Sequence, residues 1–344
     1  MAMARTVLAR VASAMAALAV CGSAYGQAGK EPPATDKGGD GLTMPSTEEQ
    51  EATRHDLSYW LENMAIYHHY SIEEMVAVCG SGAEEVQKKL AELHLDRQLL
   101  TDSTGGSVLH VLPYPGGRHP RIGFLEGAVN PQRGTKASFF LPWPDAGYVV
   151  LDLPEAIFTT DGLLFLAHTH DAAPTIWSKR GIAIPNVDWR RGESGALSHE
   201  RTLPNGVRFG AAITPGEKRA DLRLWLENGT NETLRGMRVQ VCLMLKGAPE
   251  FADLSNTGKI FQAPVAAAPC KEKNRWVLIA FDRAGRIWGN DKVPCIHSDP
   301  VFPDAPPGVR VEVRGQLWFY EGEDVENEIR QAALLFHPLA APER

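Results

Sequence analysis

The sequence has no excess of positive charge and no long apolar run. Among 344 residues, 35 Lys and Arg stand against 42 Asp and Glu, a formal net charge of −7. Nucleic-acid binding needs the opposite sign to neutralise phosphates, so we predict no nucleic-acid partner. A membrane-spanning helix needs about 20 consecutive apolar residues, and no run approaches that length. We therefore predict no transmembrane segment.

Cysteine is scarce, and several common motifs are missing. After residue 26 the cysteines are Cys79, Cys242, Cys270 and Cys295, and no two have the C-x-x-C spacing of a zinc site. A Cys270–Cys295 disulfide and buried thiols remain as equal alternatives. The sequence also lacks a Gly-x-Ser-x-Gly nucleophile turn, a phosphate-binding glycine loop and a dinucleotide fingerprint. Its motifs therefore name no reaction and no cofactor.

The first 26 residues have the composition of an export signal. Arg5 and Arg10 provide a positive start, and Val11 to Val20 are almost all small and apolar. The segment ends in Ala24-Tyr25-Gly26, with small residues at the positions that signal peptidase requires. The sequence thus predicts a secreted or periplasmic protein, with a net charge of about −9 once these two arginines are removed. A lipid anchor on Cys21 is the alternative to simple cleavage.

Composition divides the rest of the chain into three parts. Residues 27–53 are rich in Gly, Pro and charged residues, which predicts a disordered linker. Residues 54–100 are the only clearly helical part, because apolar residues recur every three or four positions and Ser71 with Glu74 forms a capping box. We predict a small helical module that folds independently and can dock a protein partner. Residues 107–338 form the third part.

Residues 107–338 place apolar side chains at every second position, as strands do. Leu222, Leu224 and Leu226 lie two residues apart, and the apolar residues of 237–245 and 309–313 do the same. Asn228-Gly229 predicts a hairpin after the first of these strands. Crossover helices are missing, which excludes a parallel α/β fold. The predicted fold is mainly β: a large antiparallel, supersandwich-like β-sandwich preceded by the helical module.

A buried strand ends in two titratable side chains, His168 and His170. Side chains two residues apart share one face of a strand, so both imidazoles lie on the same side. His297 and Asp299 form a second cluster, and Glu321 lies at the end of the last strong strand. We predict that these five residues are catalytic candidates in one cleft, where a histidine and a carboxylate can exchange protons with a ligand.

The spacing of His168 and His170 leaves three alternatives. In the first alternative, the two imidazoles bind one metal ion with a third ligand such as His297 or Asp299. In the second alternative they act as acid, base or hydrogen-bond partner at a polar site without metal. In the third they only form hydrogen bonds within the structure.

Candidate ligand-binding residues lie in two turns. Arg118, His119 and Arg121 belong to a rigid turn, where a planar guanidinium can clamp a carboxylate. The alternative is a surface turn whose arginines pair with Glu126 or solvent. Trp177 follows the histidine strand and is the best candidate for stacking on a sugar ring, although most tryptophans of a large sandwich fill its core.

Five segments resemble a group of secreted bacterial proteins to which no reaction is assigned. They are Gly117–Phe124, Ala167–His170, Leu203–Gly210, Cys242–Ala248 and Cys295–Pro300. More remotely, the strand-rich part resembles the galactose-mutarotase-like supersandwich of many carbohydrate-active proteins. That resemblance implies a histidine and a glutamate acting at a sugar ring on the concave face of a sheet. It is a likeness of fold, and it assigns no catalytic residue here.

These observations leave three hypotheses for the function. The first is an exported carbohydrate-binding or carbohydrate-acting sandwich, whose cleft contains His168, His170, His297 and Asp299. The second is a metal-dependent enzyme that uses His168 and His170. The third is a non-catalytic surface or scaffold protein that docks through its helices. Metal analysis separates the second hypothesis from the first, and glycan binding separates the first from the third.

Overall fold

Four α-helices and a π-helical turn precede the sheets. The computed structural model describes residues 47–95, 108–119, 128–131, 133–170 and 173–336. The helices are α1 (Thr47–His55), α2 (Leu57–Glu62), α3 (Ile72–Cys79) and α4 (Ala83–Glu92), and the π-helix covers Asn63–Tyr67. The expected capping box begins α3: the Glu74 N–H donates to Ser71 Oγ over 3.3 Å, and the Ser71 N–H donates to the Glu74 carboxylate over 2.7 Å.

The first helix begins inside the predicted linker. α1 starts at Thr47, whereas the linker was predicted for residues 27–53. Residues 1–26, the predicted export signal, lie outside the described residues. The division of the chain into parts at 27–53, 54–100 and 107–338 stays a prediction.

Two large antiparallel sheets form the body of the protein, which confirms the predicted fold class. The strands of the described residues are β1 (Val111–Pro113), β2 (Ala128–Pro131), β3 (Lys136–Phe140), β4 (Tyr148–Thr159), β5 (Gly162–Leu166), β6 (His168–His170), β7 (Arg190–Arg191), β8 (Leu197–Thr202), β9 (Arg208–Pro215), β10 (Arg219–Glu227), β11 (Arg238–Met244), β12 (Ile260–Gln262), β13 (Val265–Pro269), β14 (Arg275–Phe281), β15 (Ala284–Asn290), β16 (Cys295–Pro300) and β17 (Arg310–Glu321). A seven-stranded sheet has the order β1-β3-β4-β11-β16-β15, with β5 paired to β4. An eight-stranded sheet has the order β12-β13-β14-β17-β10-β9-β8-β7, and β2 pairs with β6 separately.

The hydrophobic core lies between the two large sheets. Leu222 and Leu224 of β10 belong to one buried cluster with Val241 of β11 and Ile296 of β16. Because successive side chains alternate across a strand, the intervening residues point away from this core. We call the side that carries Ser138, Val150, Cys242, Cys295 and His297 the outer face of the seven-stranded sheet. These residues are also buried, so further parts of the chain cover that face.

The N-terminal helices cover part of the outer face. The Arg133 guanidinium, only 1% exposed, donates to Thr53 Oγ1 over 2.5 Å and lies 4.1 Å from the centre of the Trp60 ring. The His68 ring contacts Ser138 Oγ at 2.7 Å. These buried polar contacts do not fit the independent folding that the sequence had suggested for the helices. The sequence could not show them, because each contact joins residues 70 or more positions apart.

A fifth helix, α5 (Val325–Leu335), was missed by the sequence analysis, which had found helices only between residues 54 and 100. Val325 and Ile329 pack with Trp318 on the side of the eight-stranded sheet that faces away from the core. The Asp324 carboxylate caps the helix by accepting the Asn327 N–H over 3.0 Å. The helix buries only Val325, Ile329 and Ala332 and follows an acidic turn, so its periodicity gave a weak signal. Among the described residues no helix has the length and apolar character to cross a membrane.

The predicted hairpin at Asn228-Gly229 is wrong. β10 pairs with β9 and β17, and β11 lies in the other sheet, so these residues begin a connection between sheets. The buried Asn228 amide fixes that connection by donating to the Glu232 and Ala305 carbonyls, each over 2.7 Å. An Asn-Gly pair favours a turn but does not decide which strands the turn joins.

The Cys270–Cys295 disulfide is also excluded. Cys270 lies in the core between the sheets, whereas Cys295 lies on the outer face of the seven-stranded sheet. All four described cysteines are buried thiols, which is the other alternative that the sequence had left.

Candidate functional site

A cavity of about 670 Å³ lies between the π-helix and the end of the seven-stranded sheet where β3 and β4 connect. We call it the helix–sheet cavity. It is lined by the helical residues Ile66, Tyr67, His68, His69 and Glu74, by Val108, Leu109, His110, Tyr114, Arg118 and His119 around β1, by residues 140–148 and Val150 of the β3–β4 region, and by Glu217, Lys246, Gly247 and Pro249. Its volume falls within the range of about 300–1,000 Å³ found for small-molecule sites.

Aromatic rings from three elements form one wall of this cavity. The Tyr67 and His110 rings have centroids 4.5 Å apart, and the Phe140 ring lies 5.2 Å from His110 and 5.9 Å from Tyr67. Tyr148 continues the wall at 5.6 Å from Phe140. Tyr67, Phe140 and Tyr148 are all half-buried. Half-buried rings grouped in this way offer apolar surface that remains available to a ligand.

His110 supplies an unused polar atom at this wall. Its Nε2 is buried and has no hydrogen-bond partner among the described residues. Burial lowers the pKa of His110 below 6.5, so the ring is neutral at physiological pH. A neutral imidazole offers one N–H donor and one acceptor nitrogen. Because a buried polar group without a partner is costly, His110 is the residue of this cavity best suited to bind a polar group of a ligand.

His68, in contrast, has both ring nitrogens occupied. Its Nδ1 donates to the Asn63 carbonyl over 3.1 Å, which leaves Nε2 to accept the Ser138 hydroxyl at 2.7 Å. This resembles the contact between a serine nucleophile and its base. However, Ser138 is completely buried and does not line the cavity. The pair therefore positions the His68 ring, which packs 4.6 Å from the Tyr148 ring.

The buried His68 predicts a loss of stability in acid. Burial lowers its pKa from 6.5 to about 3, so the unfolded chain binds this proton more readily than the folded one. The stability that the protein gains by burying a neutral His68 ring is fully present above pH 6.5 and is lost as the pH falls towards 3. In urea unfolding between pH 6 and 4, we expect the wild type to lose about 1.4 kcal/mol more per pH unit than His68→Gln.

The exposed His69 provides the control for this measurement. His69→Gln makes the same substitution at the neighbouring histidine, which is exposed. Equal slopes for wild type and His68→Gln would mean that His68 is already protonated in the folded protein near neutral pH.

Arg118 lines the cavity, but its guanidinium is fully engaged within the protein. Its Nε and one terminal nitrogen donate to the two Glu74 carboxylate oxygens over 2.5 and 2.7 Å, and both terminal nitrogens donate to the His68 and His69 carbonyls. The carboxylate that the guanidinium clamps belongs to the protein's own Glu74. Arg118 therefore joins the helices to the sheet and is not available to clamp a ligand carboxylate.

The other predicted ligand-binding residues are placed differently. His119 is 7% exposed and lines the cavity, while Arg121 lies outside the described residues. Trp177 is 2% exposed and packs in the core between the sheets, where its indole N–H donates to the Leu164 carbonyl over 2.7 Å. Its ring is thus covered by protein and offers no face for a sugar. Trp177 fills the core, which was the alternative for the tryptophans of a large sandwich.

His297 and Asp299 lie on β16 and do not line the helix–sheet cavity. His297 is 1% exposed and stacks on the Trp288 ring at 3.9 Å. Asp299 accepts hydrogen bonds from the Val241 N–H at 2.9 Å and the Trp288 indole at 2.6 Å. Burial lowers the pKa of His297, but nearby Cys242 and Asp299 raise it overall from 6.5 to about 10.

Glu321 belongs to neither group. It ends β17 in the other large sheet, where its carboxylate accepts the Trp143 indole N–H over 3.0 Å and the Arg275 Nε–H over 3.2 Å. These bonds lower the pKa of Glu321. The carboxylate joins the end of this sheet to Trp143, a residue that lines the cavity.

The histidine strand can be placed only by its backbone. His168 and His170 form β6, which pairs with β2, whereas His297 lies on β16 in the seven-stranded sheet. The side chains of both histidines lie outside what the structure describes. The shared cleft of His168, His170 and His297, and a metal bound by the first two, stay predictions.

The sequence analysis missed the residues that form the aromatic wall. The run Tyr67-His68-His69-Tyr70 is an unusual concentration of aromatic and titratable side chains, and it was the available signal. His110 gave none, because a single histidine before a short strand has no distinctive spacing. The partners of these residues, such as Phe140, come from distant positions that only the folded chain brings together.

Comparisons with known proteins leave the function open. No protein-family model matches the chain, and no curated protein matches it. Among solved structures, a provisionally named kojibiose phosphorylase from the human microbiome is 9% identical, with a TM-score of 0.33 over 55% of this chain and 25% of that one. A heparan sulfate lyase HepC mutant from Pedobacter heparinus is 13% identical, with a TM-score of 0.32 over 61% and 38%.

A provisionally named mutarotase, YeaD, from Salmonella typhimurium is 9% identical, with a TM-score of 0.29 over 54% of this chain and 94% of that one. The chain spans well under half the length of the phosphorylase and of the lyase. TM-scores this low carry no argument about the fold or the function of this chain.

Proposed function

We infer that the protein binds a carbohydrate or a similar polyhydroxylated small molecule in the helix–sheet cavity. The observation that carries this proposal is the pairing of half-buried rings with one unused polar atom. Tyr67 and Phe140 offer apolar surface, and the Nε2 of His110, which lies between them, has no partner among the described residues. Sugars present apolar C–H faces edged by hydroxyl groups, so they match a site that combines rings with a hydrogen-bonding group.

The charges around the cavity favour a neutral ligand. Arg118 and Glu74 neutralise each other within the protein, and His110 is uncharged because its pKa is lowered by burial. Glu217 and Lys246 at the cavity rim are exposed and of opposite sign. The charged residues that line the described cavity are three carboxylates (Glu74, Asp145 and Glu217) and two cations (Arg118 and Lys246), a balance that does not favour a strongly acidic ligand. We propose binding without assigning a reaction.

The predicted export signal fits this proposal. A secreted or periplasmic protein meets extracellular polysaccharides and their fragments, and residues 1–26 have the composition that export requires. Export is itself a proposal, and it is checked by the N-terminal residue of the mature protein, which we expect near Gln27.

Calorimetric titration with neutral and acidic oligosaccharides tests the proposed site. We expect a neutral sugar to bind the full chain, and Tyr67→Ala to weaken that binding by about tenfold or more, because it removes a ring from the wall. His110→Phe keeps the ring shape and removes the nitrogens. It should weaken binding several-fold, as the loss of one hydrogen bond of about 1 kcal/mol does.

Tyr320→Ala is the matched control. Tyr320 is a half-buried tyrosine of β17 in the eight-stranded sheet and does not line the cavity, so its removal should leave sugar binding unchanged. If Tyr67→Ala and Tyr320→Ala bind a sugar as tightly as the wild type, the ligand occupies another site. If no sugar of the panel binds, the carbohydrate proposal is wrong.

A further inference from the structure

Two cysteines and a histidine meet on the outer face of the seven-stranded sheet. The sulfur atoms of Cys242 and Cys295 and a ring nitrogen of His297 all lie within 4.8 Å of one another, and all three residues are buried. The strand register explains the cluster. Leu243 pairs with Ile296, so Cys242 on β11 comes opposite His297 on β16, while Cys295 precedes His297 by two residues and shares its face.

The imidazole of this cluster is held in one orientation. His297 Nε2 lies 3.2 Å from the Cys295 sulfur, and Nδ1 lies 3.8 Å from the Asp299 carboxylate. Asp299 is fixed in turn by the Val241 N–H and the Trp288 indole. Histidines that bind metals commonly have one nitrogen on the ion and the other directed at a carboxylate. In His297, Nδ1 faces the Asp299 carboxylate at a distance longer than a hydrogen bond, and Cys295 lies on the side of Nε2.

We propose that Cys242, Cys295 and His297 bind a zinc ion through their two sulfur atoms and Nε2. Two cysteines and one histidine are a recognised zinc donor set. Zinc bonds of about 2.3 Å to sulfur and 2.0–2.1 Å to nitrogen place neighbouring donors roughly 3.5–4 Å apart. The separations in the cluster bracket that range, so small side-chain shifts complete the geometry. A further ligand fills the fourth position of the tetrahedron.

Charge and position also favour this assignment. A divalent ion with two thiolates is neutral overall, so burying the complex avoids an uncompensated charge. Soft sulfur donors favour zinc over calcium or magnesium, which prefer oxygen ligands. Cys242 and Cys295 pack in one buried cluster with Tyr114 and Val150, which also line the helix–sheet cavity. The zinc ion would thus anchor β11 to β16 beneath the floor of that cavity.

Elemental analysis of the full chain, purified without chelator, tests the proposal first. We expect one zinc per chain. After zinc removal, cobalt should bind with equal stoichiometry and produce the charge-transfer absorption of cobalt–thiolate bonds. Cys242→Ser and Cys295→Ser should abolish that absorption, and Asp299→Asn should weaken metal binding about 10–100-fold by releasing the His297 ring. Cys270→Ser is the matched control, since this buried cysteine lies in the core away from the cluster.

Wild-type protein alone provides a second test if the cysteine variants do not fold. Chelation should increase the alkylation of Cys242 and Cys295 in the folded chain and leave that of Cys270, which the core covers, unchanged, as read by peptide mass spectrometry. Metal binding that persists in Cys242→Ser, or that is lost equally in Cys270→Ser, would overturn the proposal. So would a Cys242–Cys295 disulfide, or a folded chain that binds neither zinc nor cobalt.

Discussion

A shortened chain that begins at Val108 should be insoluble or unfold at a much lower urea concentration than the full protein. The deletion removes the helices that cover the outer face of the seven-stranded sheet. It would leave the buried Arg133 without its contacts to Thr53 and Trp60, and would expose Ser138 and Phe140. Each buried polar group that loses its partner costs about 1–3 kcal/mol, so several together exceed the stability of many domains.

A chain that begins at Thr47 is the control, because it keeps all these contacts and should unfold like the full protein. Trp60→Ala gives a graded measure in a chain of full length. We expect it to lower the free energy of unfolding by about 3–5 kcal/mol, as the loss of a buried tryptophan does. A soluble Val108 chain with an unchanged urea midpoint would show that the helices fold independently, as the sequence suggests.

Lys136→Met should be among the most destabilising single substitutions in the protein. The Lys136 ammonium and the Asp152 carboxylate form an ion pair at 3.0 Å on adjacent strands, and their side chains are 2% and 0% exposed. Removing one partner leaves a charge buried without its counter-ion. Such changes cost about 3–5 kcal/mol, which urea unfolding at neutral pH would measure as a large fall in the free energy of unfolding.

The matched control is Arg208→Met. Arg208 and Glu227 are also directly opposite on neighbouring strands, but their side chains are 40% and 33% exposed. Because solvent screens this pair, its loss should cost no more than about 1 kcal/mol. The double variant Lys136→Met with Asp152→Leu should be more stable than Lys136→Met alone. Equal effects of Lys136→Met and Arg208→Met would mean that the buried pair contributes little as an ion pair.

Most strands could be predicted because burial of one face imposes a two-residue period on the sequence. Leu222, Leu224 and Leu226 face the core as expected, and so do Val311 and Val313 of β17. The two-residue period does not indicate which sheet a strand belongs to, because strands of both sheets bury one face in the core and have the same period. The prediction therefore found β10 and β11 but wrongly joined them as a hairpin. The helix α5 was missed because its narrow apolar stripe, with Val325, Ile329 and Ala332 buried, resembles a surface segment.

The site was harder to predict than the fold. Arg118 and His119 were chosen from their turn, and both line the cavity. The sequence could not show that Glu74, 44 residues away, occupies the Arg118 guanidinium. His297 and Asp299 were found as a pair on one strand, and both contact Trp288: His297 stacks on its ring and Asp299 accepts its indole N–H. Cys242, the residue that makes this pair a candidate zinc site, comes from another strand 55 positions earlier.

The sequence by itself determined the alternation of the strands, the helical N-terminal part and the acidic net charge. These are local or additive properties, and each depends only on residues near one another or on their totals. Only the tertiary structure decided that the helices cover the outer face, that Tyr67, His110 and Phe140 form one wall, and that Cys242 meets His297. Those contacts depend on strand register and on the docking of helices to sheet. Strand register and helix docking are set by the packing of the whole chain. When one face of a strand or helix is buried, the side chains on its other face are fixed next to residues from distant parts of the sequence.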